Sequence, residues 1–334
     1  MDYVRFGQTG LKVSQLCLGT MSLGSSAWKG WVLDEDESIP ILRRALDLGI
    51  TFFDMADWYS CGRNEEVVGR NLLRMTARER LVLATKVYYP MSDDPNDRGL
   101  SRKHIATSID RSLARLGTDY VDLYVIHAFD PDTPVEETMQ ALHDTVRAGK
   151  VRYLGASTMS AWQFAKMNHV AAMNGWTPFV NMQCQYNVLY REEEREMFPY
   201  CRDLGIAVTS FSPLARGFLA RDGATRRTSE DQYQDFYGDE IDREIARRVG
   251  EVATRHGVTR AHVAMGWVAG SANPNIPIVG AAKPGHLDVA AEALALRLDD
   301  GERAFLEEPY RPRDVISDQN AVRRARALHP SARS

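Results

Sequence analysis

From residue 16 to about residue 297, short apolar runs alternate with amphipathic stretches of helical period. Eight of the runs read as strands: QLCLG, ITFFD, LVLATK, VDLYVIH, VRYLGAS, FVNMQCQ, IAVTSF and IPIVG. Between them, Val135, Met139, Leu142 and Val146 recur at helical spacing behind Thr133-Pro134-Val135-Glu136, which reads as a capping box with proline at the first helical position. Gly149 closes that helix. Ser160 with Gln163 repeats the box before Phe164 and Met167, and Ile105, Ile109, Leu113 and Leu116 line a further helix that ends at Gly117. Strand and helix alternating in units of roughly 25 to 40 residues predict a (β/α)8 TIM barrel, an α/β fold whose sites lie at the carboxyl ends of its strands.

Two ends stand outside that repeat. MDYVRFGQTGLKV reads as a hairpin turning at Gln8-Thr9-Gly10, placed to plug the bottom of the barrel. Beyond Pro309 the chain carries Arg311, Arg313, Arg323, Arg324, Arg326 and Arg333 and no acid after Asp318, which reads as a solvated tail or, alternatively, a lid or subunit contact. With no proline- or glycine-rich linker between units, the expectation is one barrel domain over residues 1–310 and an arginine-rich C-terminal extension over 311–334.

Composition narrows the classes of function. A chain of 334 residues, 44% hydrophobic and 26% charged, has enough apolar content for a full core. Its net charge of -4 makes nucleic acid and anionic membrane poor partners. No run approaches the roughly 18 apolar residues of a membrane span, and the N-terminus lacks a signal-type apolar run, so a cytoplasmic protein is expected. Cys17, Cys61, Cys184 and Cys201 show no metal-type spacing and read as reduced thiols. The histidines on predicted helices show no HExxH pattern, and no metal site is expected.

The chemistry lies at strand ends. Asp54, Tyr59, Lys86 and His127 fall at or just past the carboxyl ends of TFFDMADWYS, LVLATK and VDLYVIH. If those strands are parallel neighbours, an acid, a phenol, an ammonium and an imidazole share one mouth. A phenol with a free pKa of about 10 is a poor acid at neutral pH unless a positive charge favours its phenolate. Lys86 can supply that charge and Asp54 can hold it, leaving His127 to orient a carbonyl oxygen. The set reads as one that protonates a carbonyl while hydride arrives from elsewhere. Singly, each of these residues reads as a structural hydrogen-bonding group; the joint arrangement points to catalysis. Trp28, Trp31, Trp58, Tyr88 and Tyr89 lie in loops on the same side, with Trp58 and Tyr88 nearest the catalytic positions and so the expected substrate contacts, for an aryl or bulky carbonyl.

FDMADWYSCGRNEEVVG, LATKV, YVIHAFDP, GKVRYLGAST, QCQYNVLYREEERE, SFSPLARGFL and PIVGAAKP, in that order and at these separations, resemble the aldo-keto reductases over Arg5 to about Tyr310. Within that family the chain is similar to the branch of aryl-alcohol dehydrogenase-like and bacterial members. The resemblance implies Tyr59 as general acid, tuned by Lys86 and Asp54, with His127 orienting the carbonyl and NADPH (NADP+) as cofactor. Potassium-channel β subunits share the fold and cofactor yet carry asparagine at the histidine position, so His127 favours a working reductase over an NADPH-binding sensor, the alternative reading. A lyase using Lys86 as a Schiff-base amine would need a neutral lysine, which Asp54 argues against.

No GxGxxG follows the first strand, where GTMSLGSS has the wrong spacing, so a doubly wound dinucleotide site is absent. TIM barrels often hold phosphate after strands seven and eight, here SFSPLARGFLARD and VGAAKPGH. By position, the resemblance implies that Gly19, Thr20 and Met21 line the nicotinamide, with Asp54 beside it. It implies that Ser157, Thr158 and Gln183 grip its amide, and that Phe211 stacks on its ring. Ser212, Pro213, Leu214, Arg216 and Gly217 would wrap the pyrophosphate; Arg221, Gly280, Lys283 and His286 would meet the adenosine end. Val289 and Ala290 depart from the glutamate–asparagine pair that many relatives carry there, which leaves the 2'-phosphate to charge.

Overall fold

The computed structural model describes residues 1–221, 236–272 and 275–315. The chain opens with the expected hairpin: β1 (Tyr3–Arg5) pairs antiparallel with β2 (Lys12–Ser14), and Phe6 N–H donates to Leu11 O across the turn. Phe6 and Val13 point off this hairpin and are fully buried against Cys17, Phe52, Val82 and Ile276. Phe6 meets Phe52 edge-on with ring centroids 5.8 Å apart. The hairpin therefore closes the amino end of a barrel, and full burial of an aromatic side chain there contributes about 1.5–3 kcal/mol.

The eight expected strands form the barrel: β3 (Cys17–Gly19), β4 (Phe52–Asp54), β5 (Val82–Val87), β6 (Val121–Ile126), β7 (Val151–Ser157), β8 (Phe179–Gln185), β9 (Ala207–Phe211) and β10 (Asn275–Gly280). They are parallel, neighbours in chain order, and β10 closes onto β3. Successive strand side chains face opposite ways. One set, including Cys17, Phe52, Val82, Ala84, Leu123, Val125 and Ala207, fills the barrel interior. The other set, including Leu18, Phe53, Leu83, Tyr124, Ile126, Leu154, Met182 and Val208, packs outward under the helices.

Those helices are α1 (Glu35–Asp47), α2 (Arg63–Met75), α3 (Arg102–Leu116), α4 (Val135–Arg147), α5 (Ala161–Asn174), α6 (Met197–Asp203), α7 (Glu240–His256), α8 (Arg260–Ala269), α9 (Gly285–Ala293) and α10 (Asp300–Glu307). The Ser160–Gln163 capping box of α5 is formed, and Gly117 ends α3 with φ of 70°. The box expected before α4 is not. Pro134 is the N-cap there, and Thr133 donates its hydroxyl to Asp130 Oδ2 at 2.7 Å, because the carboxylate of the preceding turn competes for it. Among the described residues, no helix is long and apolar enough to cross a membrane.

The start of the C-terminal extension is docked rather than solvated. Tyr310 Oη and Arg313 N–H both donate to Glu192 Oε1, at 2.5 and 3.0 Å, and the Arg313 guanidinium pairs with Asp242 at 2.7 Å. Arg311 stays exposed. The expectations for Arg323, Arg324, Arg326 and Arg333 fall outside the described residues.

Candidate active site

The inward-facing set that is apolar at the barrel's middle turns polar at its carboxyl rim. Two residues past Phe52 comes Asp54, two past Ala84 comes Lys86, and two past Val125 comes His127. The strand register staggers these positions along the rim: Asp54 aligns with Gly19 and Ala84, Lys86 with Val125, Ser157 with Gln183, and Phe211 with Gln185.

Lys86 is completely buried and donates three hydrogen bonds, matching the three protons of an ammonium. Its acceptors are Asp54 Oδ2 at 2.7 Å, Met55 O at 2.8 Å and Tyr59 Oη at 3.1 Å. Burial pulls the lysine pKa down, but the charges and hydrogen bonds of Asp54 and Tyr59 outweigh it and hold the group above its ordinary value. The lysine is therefore a fixed cation. Asp54 also accepts from Gln183 Nε2 at 2.9 Å, so β8 joins the same network.

Tyr59 leaves β4 through a tight turn in which Ser60 (φ 50°), Cys61 (φ 51°) and Gly62 (φ 91°) are all left-handed. Glycine tolerates that conformation; for the other two it costs about 1–3 kcal/mol each, strain typical of functional turns. His127 presents its ring edge to Tyr59, with centroids 5.7 Å apart. Burial first, and the Lys86 cation second, push its imidazolium well below the ordinary range, so the ring is neutral. Its Nδ1 is buried with no hydrogen-bond partner among the described residues, which favours the tautomer carrying the proton on Nε2. A neutral Nε2–H beside a phenol is a donor for a carbonyl oxygen.

An aromatic wall leads outward from these groups. Tyr89 contacts His127 at 4.8 Å and Trp58 at 4.9 Å between centroids, and Trp28 meets Trp58 edge-on at 5.1 Å. Of the two expected substrate residues, Trp58 lies in this wall. Tyr88 instead packs against the strand–helix core and behind Tyr89, at 5.3 Å. Tyr88 is the nearer of the two tyrosines to Lys86 in sequence, and it is the ring of Tyr89 that meets His127 and Trp58.

Behind Trp58 and Tyr59 lies a charged cluster that the sequence reading missed. Asp57 is fully buried, accepts from Ser108 Oγ at 2.8 Å, and leaves Oδ1 without a partner. Burial and then Glu65 push its carboxyl up to about 7. Glu65 itself is buried and ion-paired to Arg115 at 2.6 Å. The raised pKa fixes a sign: the folded protein keeps a proton on Asp57 that the unfolded chain releases, so this group lowers stability as pH rises from about 4 to 7. Between pH 5 and 8 the effect is roughly 2–3 kcal/mol. Asp57→Asn should shrink the stability difference between those two pH values by that amount in urea titrations. An unchanged difference would show that Asp57 is ionised in the folded protein throughout.

The expected cofactor positions line the remaining rim. Gly19 is so close to β10 that a Cβ there would sit 2.7 Å from Ile278 Cγ2. Thr20 is committed within the protein: its hydroxyl and N–H both donate to Asp54 O, at 2.8 and 3.0 Å, and its carbonyl accepts from Leu23 N–H and Asn64 Nδ2. Ser157 and Thr158 share a hydrogen bond at 3.1 Å, and Thr158 has φ of 49°. At the end of β9 Phe211 is half-buried at the rim, and beyond it Pro213 is buried and Leu214 half-buried. Ser212, Ala215, Arg216 and Gly217 have φ between 47° and 99°, and the curled loop is held by Ala215 N–H to Ser212 O at 2.9 Å and Gly217 N–H to Leu214 O at 2.8 Å.

Gln185 and Asn187 hold Tyr237 Oη, at 2.6 and 3.0 Å, and Asn187 also donates to Ser212 O. These three were not singled out from sequence, although Gln185 continues the inward face of Gln183. Past Gly280, Lys283 and His286 are exposed. Burial, then the positive charges of Lys283 and Arg221, push His286 below its ordinary pKa, so three basic groups converge there. Ala290 is buried in α9 and Val289 half-buried, and neither has a polar side chain to offer. These residues fit a dinucleotide laid across the rim: amide-binding groups and an aromatic ring beside Asp54, a curled loop in the middle, and charge at the far end.

A sequence-family model described as the aldo/keto reductase family matches residues 15–310. The chain is 42% identical to a versiconal hemiacetal acetate reductase of Aspergillus parasiticus, over 94% of this chain and 98% of that protein. It is 41% identical to an aldo-keto reductase of Alternaria alternata, over 92% and 91%. It is also 39% identical to a Schizosaccharomyces pombe protein whose name proposes an aryl-alcohol dehydrogenase, over 93% and 96%.

Proposed function

We propose that this chain, which belongs to the aldo/keto reductase family and is accordingly an NAD(P)-dependent oxidoreductase, reduces an aldehyde or ketone to its alcohol with NADPH, taking the proton from Tyr59. The observation that carries the reading is the buried Lys86 cation, bonded at once to Asp54 and to the Tyr59 phenol beside a neutral His127.

The carbonyl oxygen is received between Tyr59 Oη and His127 Nε2. The rim residues would hold NADPH, which when bound would supply hydride to the carbonyl carbon. As negative charge grows on the oxygen, Tyr59 gives up its proton, and the phenolate left behind is stabilised by Lys86 at 3.1 Å. Asp54 keeps the ammonium charged and aimed, and so acts through Lys86. In the reverse direction the same phenolate accepts the alcohol proton. The Trp28, Trp58 and Tyr89 wall favours flat, apolar carbonyls over small polar ones.

The test is steady-state oxidation of NADPH with a panel of aryl and alkyl aldehydes and ketones. Alcohol should form one-for-one with NADPH consumed, with aryl compounds preferred. Tight NADPH binding with no carbonyl turned over would favour the sensor reading.

The cofactor end carries its own prediction. With Val289 and Ala290 giving no polar grip, the 2'-phosphate is recognised by charge from Lys283, Arg221 and His286, and such recognition is screened by salt. NADPH affinity should fall with ionic strength more steeply than NADH affinity. Lys283→Ala should narrow the gap between them by one charge-assisted contact, about 1.5–3 kcal/mol. A variant that discriminates as well as the parent would move the 2'-phosphate site elsewhere.

A further inference from the structure

In the loop after β9, Ser212, Ala215 and Arg216 hold left-handed backbone, with φ of 56°, 47° and 59°, although none of them is glycine. Such conformations persist only where the surroundings over-determine them. Part of that hold comes from outside the loop, from Tyr237. Its ring stacks on Phe218, just past the loop, with centroids 6.3 Å apart and planes 30° apart. Its hydroxyl accepts from Gln185 Nε2 and Asn187 Nδ2, and the same Asn187 amide donates to Ser212 O at 2.9 Å, at the start of the loop. Asn187 is fully buried, and its Oδ1 accepts from Leu189 N–H at 2.9 Å. Tyr237 thus brackets residues 212–217 from both ends.

The C-terminal segment in turn holds Tyr237. Gly238 N–H donates to Asp242 Oδ2 at 2.8 Å, the Arg313 guanidinium pairs with Asp242 Oδ1 at 2.7 Å, and Arg313 Nη1 donates to Phe236 O at 3.2 Å. The residues on either side of Tyr237 are therefore tied to one ion pair. Asp242 is 1% exposed, and the Arg313 backbone is anchored by its N–H to Glu192. A buried, charge-assisted pair with its hydrogen bonds satisfied rigidifies what it joins. We propose that Tyr237 is a positioning residue for the 212–217 loop and that Arg313, through Asp242 and Phe236 O, keeps it in place, so that the C-terminal segment governs how long a dinucleotide stays bound. That role rests on the reductase reading, which lays the pyrophosphate against this loop. Freed from Tyr237, the loop can leave its strained backbone and no longer closes on the dinucleotide.

Stopped-flow displacement measures the dissociation rates of NADPH and NADH from the parent, from Tyr237→Phe, from Arg313→Met and from the double variant. Each single change should raise the rates roughly fivefold, the effect of losing about one hydrogen bond, and by the same factor for both dinucleotides, because the pyrophosphate is common to them. The double variant should release them no faster than the faster single one, since both changes act through Tyr237. In the cofactor-free proteins, amide hydrogen exchange should quicken over residues 212–218 and stay unchanged in α2 and α3, which a general loss of stability would not give. Should Arg313→Met fail to fold, Arg313→Met with Asp242→Asn repeats the measurement without an unpaired buried charge. Rates within about twofold of the parent in Tyr237→Phe would overturn the inference while leaving the reductase reading intact. Effects that multiply in the double variant would overturn the part given to Arg313. If the parent holds NADPH but reduces no carbonyl, the reductase reading fails and the same rates still decide the inference. If it binds neither dinucleotide, both fall.

Discussion

Tyr59→Phe is expected to lose at least roughly the hundredfold in turnover that a general acid contributes, with NADPH affinity nearly unchanged. Phenylalanine keeps the ring that meets His127 edge-on at 5.7 Å and lies 4.7 Å from Lys86 Nζ. It removes only the hydroxyl. Lys86 still has Asp54 and Met55 O as acceptors, so the network does not collapse and the loss is chemical rather than structural. Steady-state kinetics with an aryl aldehyde, together with cofactor binding by fluorescence, separate the two. Turnover within a few-fold of the parent would remove Tyr59 from the proton-transfer step.

Lys86→Met is expected to abolish reduction and to destabilise the fold as well. Asp54 is 3% exposed, and without Lys86 its carboxylate retains, among the described residues, only the Gln183 hydrogen bond from a side chain. Breaking a buried ion pair from one side costs about 3–5 kcal/mol, whereas removing both charges is nearly neutral. The double variant Lys86→Met with Asp54→Asn should therefore regain most of the stability and none of the activity. Urea denaturation and NADPH oxidation on the three proteins test both halves. Borohydride added during turnover should leave no substrate mass on the Lys86 peptide, because an ammonium held above its ordinary pKa is a poor amine nucleophile. A stable adduct would place the protein among Schiff-base lyases, and recovery of activity in the double variant would deny Lys86 its electrostatic role.

The barrel was legible because its two periods are written plainly. Short apolar runs at regular spacing marked all eight strands, and position at or just past the strand ends singled out Asp54, Lys86 and His127. Tyr59 was legible through its motif, but the three left-handed residues that turn it back to Lys86 include Ser60 and Cys61, whose identities do not announce positive φ. Thr133 misled because a local carboxylate, Asp130, outcompeted the helix amides for its hydroxyl. Nothing in the sequence marks Asp57 and Glu65 as buried. Only the packing of α2 and α3 reveals that Ser108 and Arg115 enclose them. Tyr88 and Tyr89 were inseparable by sequence, since which of two adjacent aromatics enters the mouth depends on where the strand stops.

The central claim, hydride from the nicotinamide and proton from Tyr59, is tested most directly by isotope tracing. The protein is given NADPH deuterated at C4 on one face or the other, and an aryl aldehyde in ordinary water, and the alcohol is analysed by mass and NMR. One deuterium should appear on the carbinol carbon per molecule of cofactor oxidised, from one face only, and Tyr59→Phe should slow its appearance by the same factor as turnover. A carbinol carbon without deuterium, or labelled instead when the experiment is run with unlabelled NADPH in deuterium oxide, would contradict the account.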